Sequence, residues 1–190
     1  MKIIAGKYKG RNFFMPAEIR PTQNIVRKAL FDLLGQDLEG LSFLELFAGS
    51  GSVGLEALSR GASQCTFVER EVKCAEVIER NAKSFNLQPI SASKDPPHYE
   101  IVQEDVFMTI KRFAREGRKF DIIFLDPPYG VELAKKALKT LGGYGIVHPA
   151  SVVVVQHNRR EKLPAEPDGF RLVQEKQYGH SLLSIYNVKI

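Results

Sequence analysis

From Leu41 onward, short apolar runs alternate with stretches whose apolar residues recur at helical spacing. This alternation is typical of repeated strand–helix units, which build a parallel sheet. It predicts strands at residues 43–47, 65–69, 99–103, 120–125 and 151–156, with helices that begin near Ser52, Glu71, Val106 and Val131. Two further β-rich runs, at residues 171–177 and 182–188, predict a terminal hairpin. We therefore expect an α/β fold: a doubly wound, mostly parallel sheet with an antiparallel C-terminal edge.

The first 35 residues have a different pattern. Runs at residues 2–5 and 11–15 flank a glycine-bounded loop and predict a β-hairpin. Thr22 is placed to cap a helix that Gly35 ends. The apolar residues of that helix are Ile25, Val26, Ala29, Leu30, Leu33 and Leu34. Because 190 residues are typical of one domain, we expect a single domain. It would comprise an N-terminal extension at residues 1–35 and a core at residues 41–190.

The positive charge of the chain is concentrated in its N-terminal segment. The whole chain carries a formal net charge of +5. Residues 1–28 hold seven basic side chains against one acid, Glu18, whereas the rest of the chain has a balance of −1. A basic segment of this kind is a candidate phosphate-binding surface. The alternative is a solvated, charged end that has no partner.

Other features of the sequence favour a protein of the cytoplasm without a metal. The sequence has no apolar run long enough for a membrane span, and its start does not have the pattern of a signal peptide. Cys65 and Cys74 fall in a predicted strand and the helix after it, so we expect reduced structural thiols. The four histidines lack the paired spacing of metal ligands, so no metal site is predicted. We expect a monomer.

A glycine loop follows the first predicted strand of the core. Gly49, Gly51 and Gly54 match the pattern G-x-G-x-x-G, in which the missing side chains let the backbone turn tightly and approach a nucleotide. Glu69 lies 20 positions after Gly49, at the end of the next strand, where a carboxylate can accept hydrogen bonds from ribose hydroxyls. The glycine loop and Glu69 together indicate a nucleoside cofactor. Simple loop geometry is the alternative.

The same loop would serve NAD or S-adenosylmethionine. Glu45 favours the latter, because a carboxylate at this place repels a pyrophosphate and attracts a cation. Asp105 is placed either to accept a hydrogen bond from adenine, with Val106 against the ring, or to cap the next helix. The residues predicted to bind the cofactor are Glu45, Phe47, Ala48, Gly49, Ser50, Gly51, Glu69, Asp105 and Val106.

The predicted strand at residues 120–125 ends in Asp126-Pro127-Pro128-Tyr129, at the sheet edge where the glycine loop is expected. Asp126 and the Pro127 carbonyl can accept hydrogen bonds from an amine and stabilise positive charge that develops on its nitrogen. The prolines stiffen this corner, and Tyr129 offers a ring face to an unstacked base. We interpret all four as catalytic residues for methyl transfer to a base amine. Asp95-Pro96-Pro97-His98 lacks a preceding apolar strand and is interpreted as a turn.

With these motifs, the chain resembles the RsmD family of bacterial ribosomal RNA methyltransferases over nearly its full length. The motifs that carry the resemblance are Ile4-Ala5-Gly6, Lys9-Gly10-Arg11, Arg20-Pro21-Thr22, Val26-Arg27, Ala29-Leu30-Phe31, the stretches at residues 46–51 and 54–62, Asp126-Pro127-Pro128-Tyr129 and Tyr178-Gly179. Arg-Pro-Thr is the most family-specific of them. Many amine methyltransferases share the glycine loop and the Asp-Pro-Pro-Tyr motif.

The resemblance implies a Rossmann-like class I methyltransferase fold. It also implies transfer of a methyl group from S-adenosylmethionine, which leaves S-adenosylhomocysteine, to the 2-amino group of a guanine in small-subunit (16S) ribosomal RNA, either free or within an assembly particle. It places RNA contacts in the N-terminal segment, at Lys7, Lys9, Arg11, Arg20, Thr22 and Arg27. Two alternatives remain open: methylation of adenine or cytosine in DNA, and an RNA assembly factor that binds the cofactor without turnover.

Overall fold

The computed structural model describes residues 1–15, 24–92, 96–128 and 132–189. The helices in these residues are α1 (Asn24–Leu34), α2 (Ser52–Ser59), α3 (Val72–Ser84), α4 (Val106–Arg115) and α5 (Leu133–Tyr144). The strands are β1 (Ser42–Leu46), β2 (Gln64–Val68), β3 (Gln88–Pro89), β4 (His98–Val102), β5 (Phe120–Leu125), β6 (Val147–Asn158), β7 (Phe170–Tyr178) and β8 (Ser181–Val188).

The strands form one mixed sheet in the order β3-β4-β2-β1-β5-β6-β8-β7. The pairs from β3 to β6 are parallel, and β8 pairs antiparallel with both β6 and β7. The chain builds outward from β1 in one direction with β2 and β4, then returns to add β5 on the other side of β1. Ligands of open α/β sheets bind where the strand order reverses in this way, at the carboxyl ends of the strands.

Helices cover both faces of the sheet. Successive β1 residues face opposite sides: Phe43 packs in the core cluster that contains α1, α2 and α3, and Leu44 in the cluster that contains α4 and α5. This confirms the predicted Rossmann-like, doubly wound architecture and its antiparallel C-terminal edge. No helix among the described residues is both long and apolar enough to cross a membrane.

The predicted elements agree with the structure to within a few residues, with four differences. The two-residue strand β3 was not predicted, and β6 begins at Val147, before the predicted residue 151. The N-terminal hairpin has backbone hydrogen bonds and a single bridge, Lys2 with Asn12, in place of a ladder. Ile25, assigned to the apolar face of α1, is 63% exposed. The predicted cap Thr22 lies outside the described residues.

The N-terminal hairpin is held to α2 by Glu56, a fully buried carboxylate. Its two oxygens accept hydrogen bonds from the backbone N–H groups of Ile4 and Ala5, each at 2.9 Å. Two buried guanidinium groups balance its charge: Arg60 at 2.9 Å and Arg27 at 3.6 Å. The N-terminal segment and the core are therefore joined through buried polar groups, in addition to apolar packing.

The prediction that Arg27 contacts RNA is wrong, because its side chain is 0% exposed. Besides pairing with Glu56, the guanidinium donates a hydrogen bond to the carbonyl of Lys2 and lies over the ring of Phe13. Burial lowers the pKa of this guanidinium, and Glu56 opposes that shift. Arg27 thus acts as a structural counter-charge inside the N-terminal segment.

Candidate active site

The glycine loop and the Asp-Pro-Pro corner meet at one edge of the sheet. β1 and β5 are adjacent and parallel, with Leu46 opposite Leu125, so the loop and the corner both begin at the carboxyl ends of neighbouring strands. The backbone N–H of Asp126 donates to the carbonyl of Leu46 at 3.5 Å. The glycine loop and the Asp-Pro-Pro corner both line one cavity of about 480 Å³. A group held by the loop and a group held by the corner would therefore share this cavity.

The glycines of the loop have distinct structural roles. Gly51 precedes α2 with φ +72°, a conformation that favours glycine, and its N–H donates to the carbonyl of Ala48 at 2.8 Å. Gly54, inside α2, packs against β2: a β-carbon there would lie 2.4 Å from both Cys65 Sγ and the Phe67 ring. Gly51 therefore allows the tight turn of the loop, and Gly54 allows α2 to lie very close to the sheet.

Glu69 follows β2 and turns its carboxylate toward the loop. One oxygen accepts the N–H of Gly49 at 2.7 Å, and the other accepts the N–H of Glu71 at 2.9 Å. The residue is only 9% exposed and lines the cavity. Each oxygen of a carboxylate can accept a second hydrogen bond. The side chain is therefore fixed where it can accept hydrogen bonds from a ligand's hydroxyl groups.

Glu45 lies on β1 beneath the start of α2, and it also lines the cavity. Its Oε2 accepts the N–H of Gly54 at 2.8 Å. Burial above all, and to a smaller extent the nearby charges of Asp126 and Glu69, raise the pKa of the Glu45 carboxyl to about 8, against the effect of the backbone hydrogen bonds. Glu45, Glu69 and Asp126 are thus three of the acidic residues that line the cavity. This arrangement disfavours anionic ligands and favours cationic ones.

Asp105 caps α4. Its Oδ1 accepts the N–H groups of Phe107 at 2.9 Å and of Met108 at 3.2 Å. Asp105 also lines the cavity, together with Val106 and Phe107, and the Phe107 ring makes an edge contact with Phe47 at 6.4 Å between centroids. Of the two roles left open by the sequence, the structure shows the cap. The apolar groups beside Asp105 form a wall suited to an adenine ring.

The cavity contains most of the predicted site residues and several that were not predicted. Phe47, Ala48, Gly49, Ser50, Asp126, Pro127 and Pro128 line it, whereas Tyr129 lies outside the described residues. The lining residues that sequence reasoning missed include Val26, Phe107, Gln156 and Ser181. Gln156 had a readable signal, because it ends the predicted strand next to β5. Val26 and Ser181 reach the cavity from distant elements.

The basic N-terminal residues lie away from the cavity. Lys7, Lys9 and Arg11 are exposed. The backbone N–H of Lys7 donates to the carbonyl of Ser59, at the end of α2 opposite the glycine loop. Eight helical residues span about 12 Å. A partner that contacts both the basic hairpin and the cavity must therefore span at least this distance. Arg20 and Thr22 lie outside the described residues.

The strand order, the glycine turn and the acidic end of β2 define the Rossmann-like fold of S-adenosylmethionine-dependent methyltransferases. The solved structure described as putative methyltransferase yhhF from Escherichia coli superposes with a TM-score of 0.84 at 27% sequence identity, covering 100% of this chain and 98% of that one. The structure of TTHA0928 from Thermus thermophilus gives a TM-score of 0.82 at 29% identity, covering 100% and 99%.

The chain belongs to the family described as conserved hypothetical protein 95, whose model matches residues 1–187. This is the RsmD family that the motifs indicated. Ribosomal RNA small subunit methyltransferase D of Haemophilus influenzae is 32% identical over 181 residues, covering 94% of this chain and 89% of that relative. The Escherichia coli K12 protein of the same name is 28% identical over 188 residues, covering 98% and 89%.

Proposed function

We propose that this protein transfers a methyl group from S-adenosylmethionine to the 2-amino group of a guanine in small-subunit ribosomal RNA. The observation that carries the proposal is the shared cavity, in which the glycine turn and the Asp126–Pro127 corner begin at adjacent strand ends. Family membership and the names of the relatives support the substrate class.

The residues of the cavity fit S-adenosylmethionine better than a dinucleotide. Glu69 and Asp126 would repel a pyrophosphate. Together with Glu45, which ionises when a cation binds, they attract the sulfonium and ammonium charges of the methyl donor. Glu69 would hold the ribose hydroxyls, and Val106 with Phe107 would pack on adenine. The cofactor supplies an electrophilic methyl group when bound.

The chain's own residues then position the acceptor. An exocyclic base amine is a poor nucleophile, because its lone pair is delocalised into the ring. The Asp126 carboxylate and the Pro127 carbonyl accept hydrogen bonds from the two N–H groups, orient the nitrogen and stabilise the positive charge that grows on it. The rigid proline corner holds these acceptors in place before the substrate arrives. Tyr129 would support the base ring by stacking.

The distance between basic hairpin and cavity supports a polynucleotide substrate. A single nucleoside bound in the cavity would not reach the exposed Lys7 and Lys9, which lie at the far end of α2. Phosphates of a folded RNA can contact these lysines while one base enters the cavity. We also propose that residues 1–35 are an RNA-binding extension of the catalytic core.

The test is methyl transfer from labelled S-adenosylmethionine to free small-subunit RNA, to small-subunit assembly particles and to duplex DNA, each supplied separately. We expect label in RNA or in the particle, and N2-methylguanosine on nucleoside mass spectrometry. Label in adenine or cytosine of DNA would contradict the proposal. Asp126→Ala should abolish transfer and leave cofactor affinity within a few-fold. If Asp126→Ala turns over normally, the corner does not hold the acceptor.

A further inference from the structure

Phe14 and Arg80 form a stacked pair on the surface, well outside the cavity. Phe14 is 45% exposed. The guanidinium of Arg80, on α3, lies over this ring at 4.4 Å from its centroid. Arg80 is itself exposed. The pair therefore presents two flat groups, one aromatic and one cationic, to solvent.

Buried contacts fix the position of Phe14. Its N–H donates to Asn81 Oδ1 at 2.7 Å, and its carbonyl accepts from Asn81 Nδ2 at 2.9 Å. Asn81 is 1% exposed, so a buried amide holds both backbone groups of an exposed residue. The preceding Phe13 is buried, and Phe14 consequently points the other way. The backbone that carries the exposed ring is therefore held in place.

Further basic residues lie on the hairpin side of the pair. One turn further along α3, Arg11 donates to the carbonyl of Ser84 and lies over the Phe85 ring at 4.9 Å from the centroid. Lys7 and Lys9 follow on the same hairpin and are exposed. Phe85 is itself buried, so Phe14 supplies the exposed ring of this surface. An exposed ring flanked by guanidinium groups in a basic segment is suited to single-stranded nucleic acid. The positive charge of this surface also disfavours apolar partners that have few acidic groups.

The pair lies within reach of a substrate bound at the cavity. Helix α3 begins at Val72, directly after Glu71, which lines the cavity. Arg80 is eight residues further along α3, a separation of about 12 Å. An RNA strand that leaves the cavity and follows α3 toward the basic hairpin would pass the pair.

We propose that the Phe14–Arg80 pair is a stacking site for one unpaired base of the RNA, separate from the base that is methylated. Stacking on an aromatic ring or a guanidinium plane tolerates every base. The site would therefore add affinity and fix the path of the strand without reading sequence. This inference rests on the proposed function for the identity of the partner.

The experiment measures binding of the full-length small-subunit RNA transcript to Phe14→Ala across a series of salt concentrations. We expect affinity to fall about tenfold at every salt concentration. The slope of log affinity against log salt should not change, since stacking releases no counterions. Phe14→Trp should retain affinity. Because Phe14 is half-exposed, Phe14→Ala should fold, and thermal unfolding checks this.

The matched control is Tyr144→Ala. Tyr144 is 42% exposed and has Lys111 over its ring at 5.7 Å, but it belongs to α5, on the opposite face of the sheet. We expect this variant to bind RNA like the wild type. An equal loss in both variants would overturn the stacking site, because it would reflect a general effect of removing a surface aromatic ring.

A second pair of variants separates this inference from the proposed function. Replacing Lys7 and Lys9 with Gln should lower the salt slope. If those variants do so while Phe14→Ala binds with wild-type affinity, the stacking site is wrong and RNA remains the partner. If the wild type neither binds nor methylates small-subunit RNA, the proposed function itself fails, and the RNA-stacking inference fails with it.

Discussion

The backbone of Gly6 lies directly against the carbonyl group of Ser59. A β-carbon built on Gly6 would be 1.8 Å from that oxygen, which also accepts the N–H of Lys7 at 2.7 Å. Ser59 is the last residue of α2, and Ser52, its first residue, follows the glycine turn. One short helix therefore carries the cofactor loop at one end and the basic hairpin at the other.

Gly6→Ala should detach the hairpin and destabilise the protein, with Gly10→Ala as its control. Both glycines have φ close to +80°, so alanine brings similar backbone strain of about 1–2 kcal/mol at each. At Gly10 the added β-carbon meets nothing within 4 Å, whereas at Gly6 it collides with backbone. Urea unfolding should show a clearly larger loss for Gly6→Ala. Equal losses would mean that the contact with Ser59 yields easily.

Glu56→Gln should lower the free energy of unfolding by about 3–5 kcal/mol, because it leaves two buried guanidinium groups, Arg27 and Arg60, without a counter-charge. Asp32→Asn breaks the exposed pair with Lys28 and should change stability little. Chemical denaturation compares the two variants. A small loss in Glu56→Gln would show that solvent reaches the two arginines.

The elements of the core could be predicted because their signals are local. Strand β5 was predicted at its observed bounds, since six consecutive residues, Phe120–Leu125, form an almost wholly apolar run between polar neighbours. The glycine loop and the Asp126 corner each follow such a run, so their meeting at one edge could be inferred from parallel topology.

The rest depends on contacts between distant residues. A basic residue in a basic segment was predicted to be exposed, yet Arg27 is buried because Glu56, 29 positions later, neutralises it. The two-residue strand β3 has no periodicity to detect. Val26 lines the cavity only because α1 packs against the core near the site. Nothing in the sequence around these residues indicates which distant residues they contact.

Glu45 should make the stability of the ligand-free protein fall as the pH rises. Its carboxyl has an ordinary pKa of 4.5, and burial raises that pKa to about 8 in the folded protein. Folding therefore favours the protonated acid. This stabilisation is complete below the unfolded pKa and is lost as the pH rises through about 8. Glu45→Gln, which stays neutral, should flatten this dependence in urea unfolding between about pH 5 and pH 8. If the free energy of unfolding depends on pH in the same way in the wild type and in Glu45→Gln, this prediction is wrong.

The same residue links cofactor binding to proton release. A bound sulfonium favours the ionised carboxylate, so binding of S-adenosylmethionine near neutral pH should expel a proton from Glu45 in the wild type. Calorimetric titration in buffers of different ionisation enthalpy measures that proton. Glu45→Gln should release fewer protons under the same conditions, and an unchanged count would assign the proton to another group.

Asp105 can be tested for both of its assigned roles with two substitutions. Asp105→Ala removes the cap on the N–H groups of Phe107 and Met108 and should cost about 1 kcal/mol of stability. Asp105→Ser restores a side-chain oxygen that can cap the helix, but its shorter hydroxyl cannot replace a carboxylate oxygen that accepts the adenine amine. We therefore expect Asp105→Ser to unfold like the wild type and to bind S-adenosylmethionine several-fold more weakly, as measured by calorimetry. If Asp105→Ser has both wild-type stability and wild-type affinity, the residue is a helix cap alone, and the apolar wall of Val106 and Phe107 must hold adenine without it.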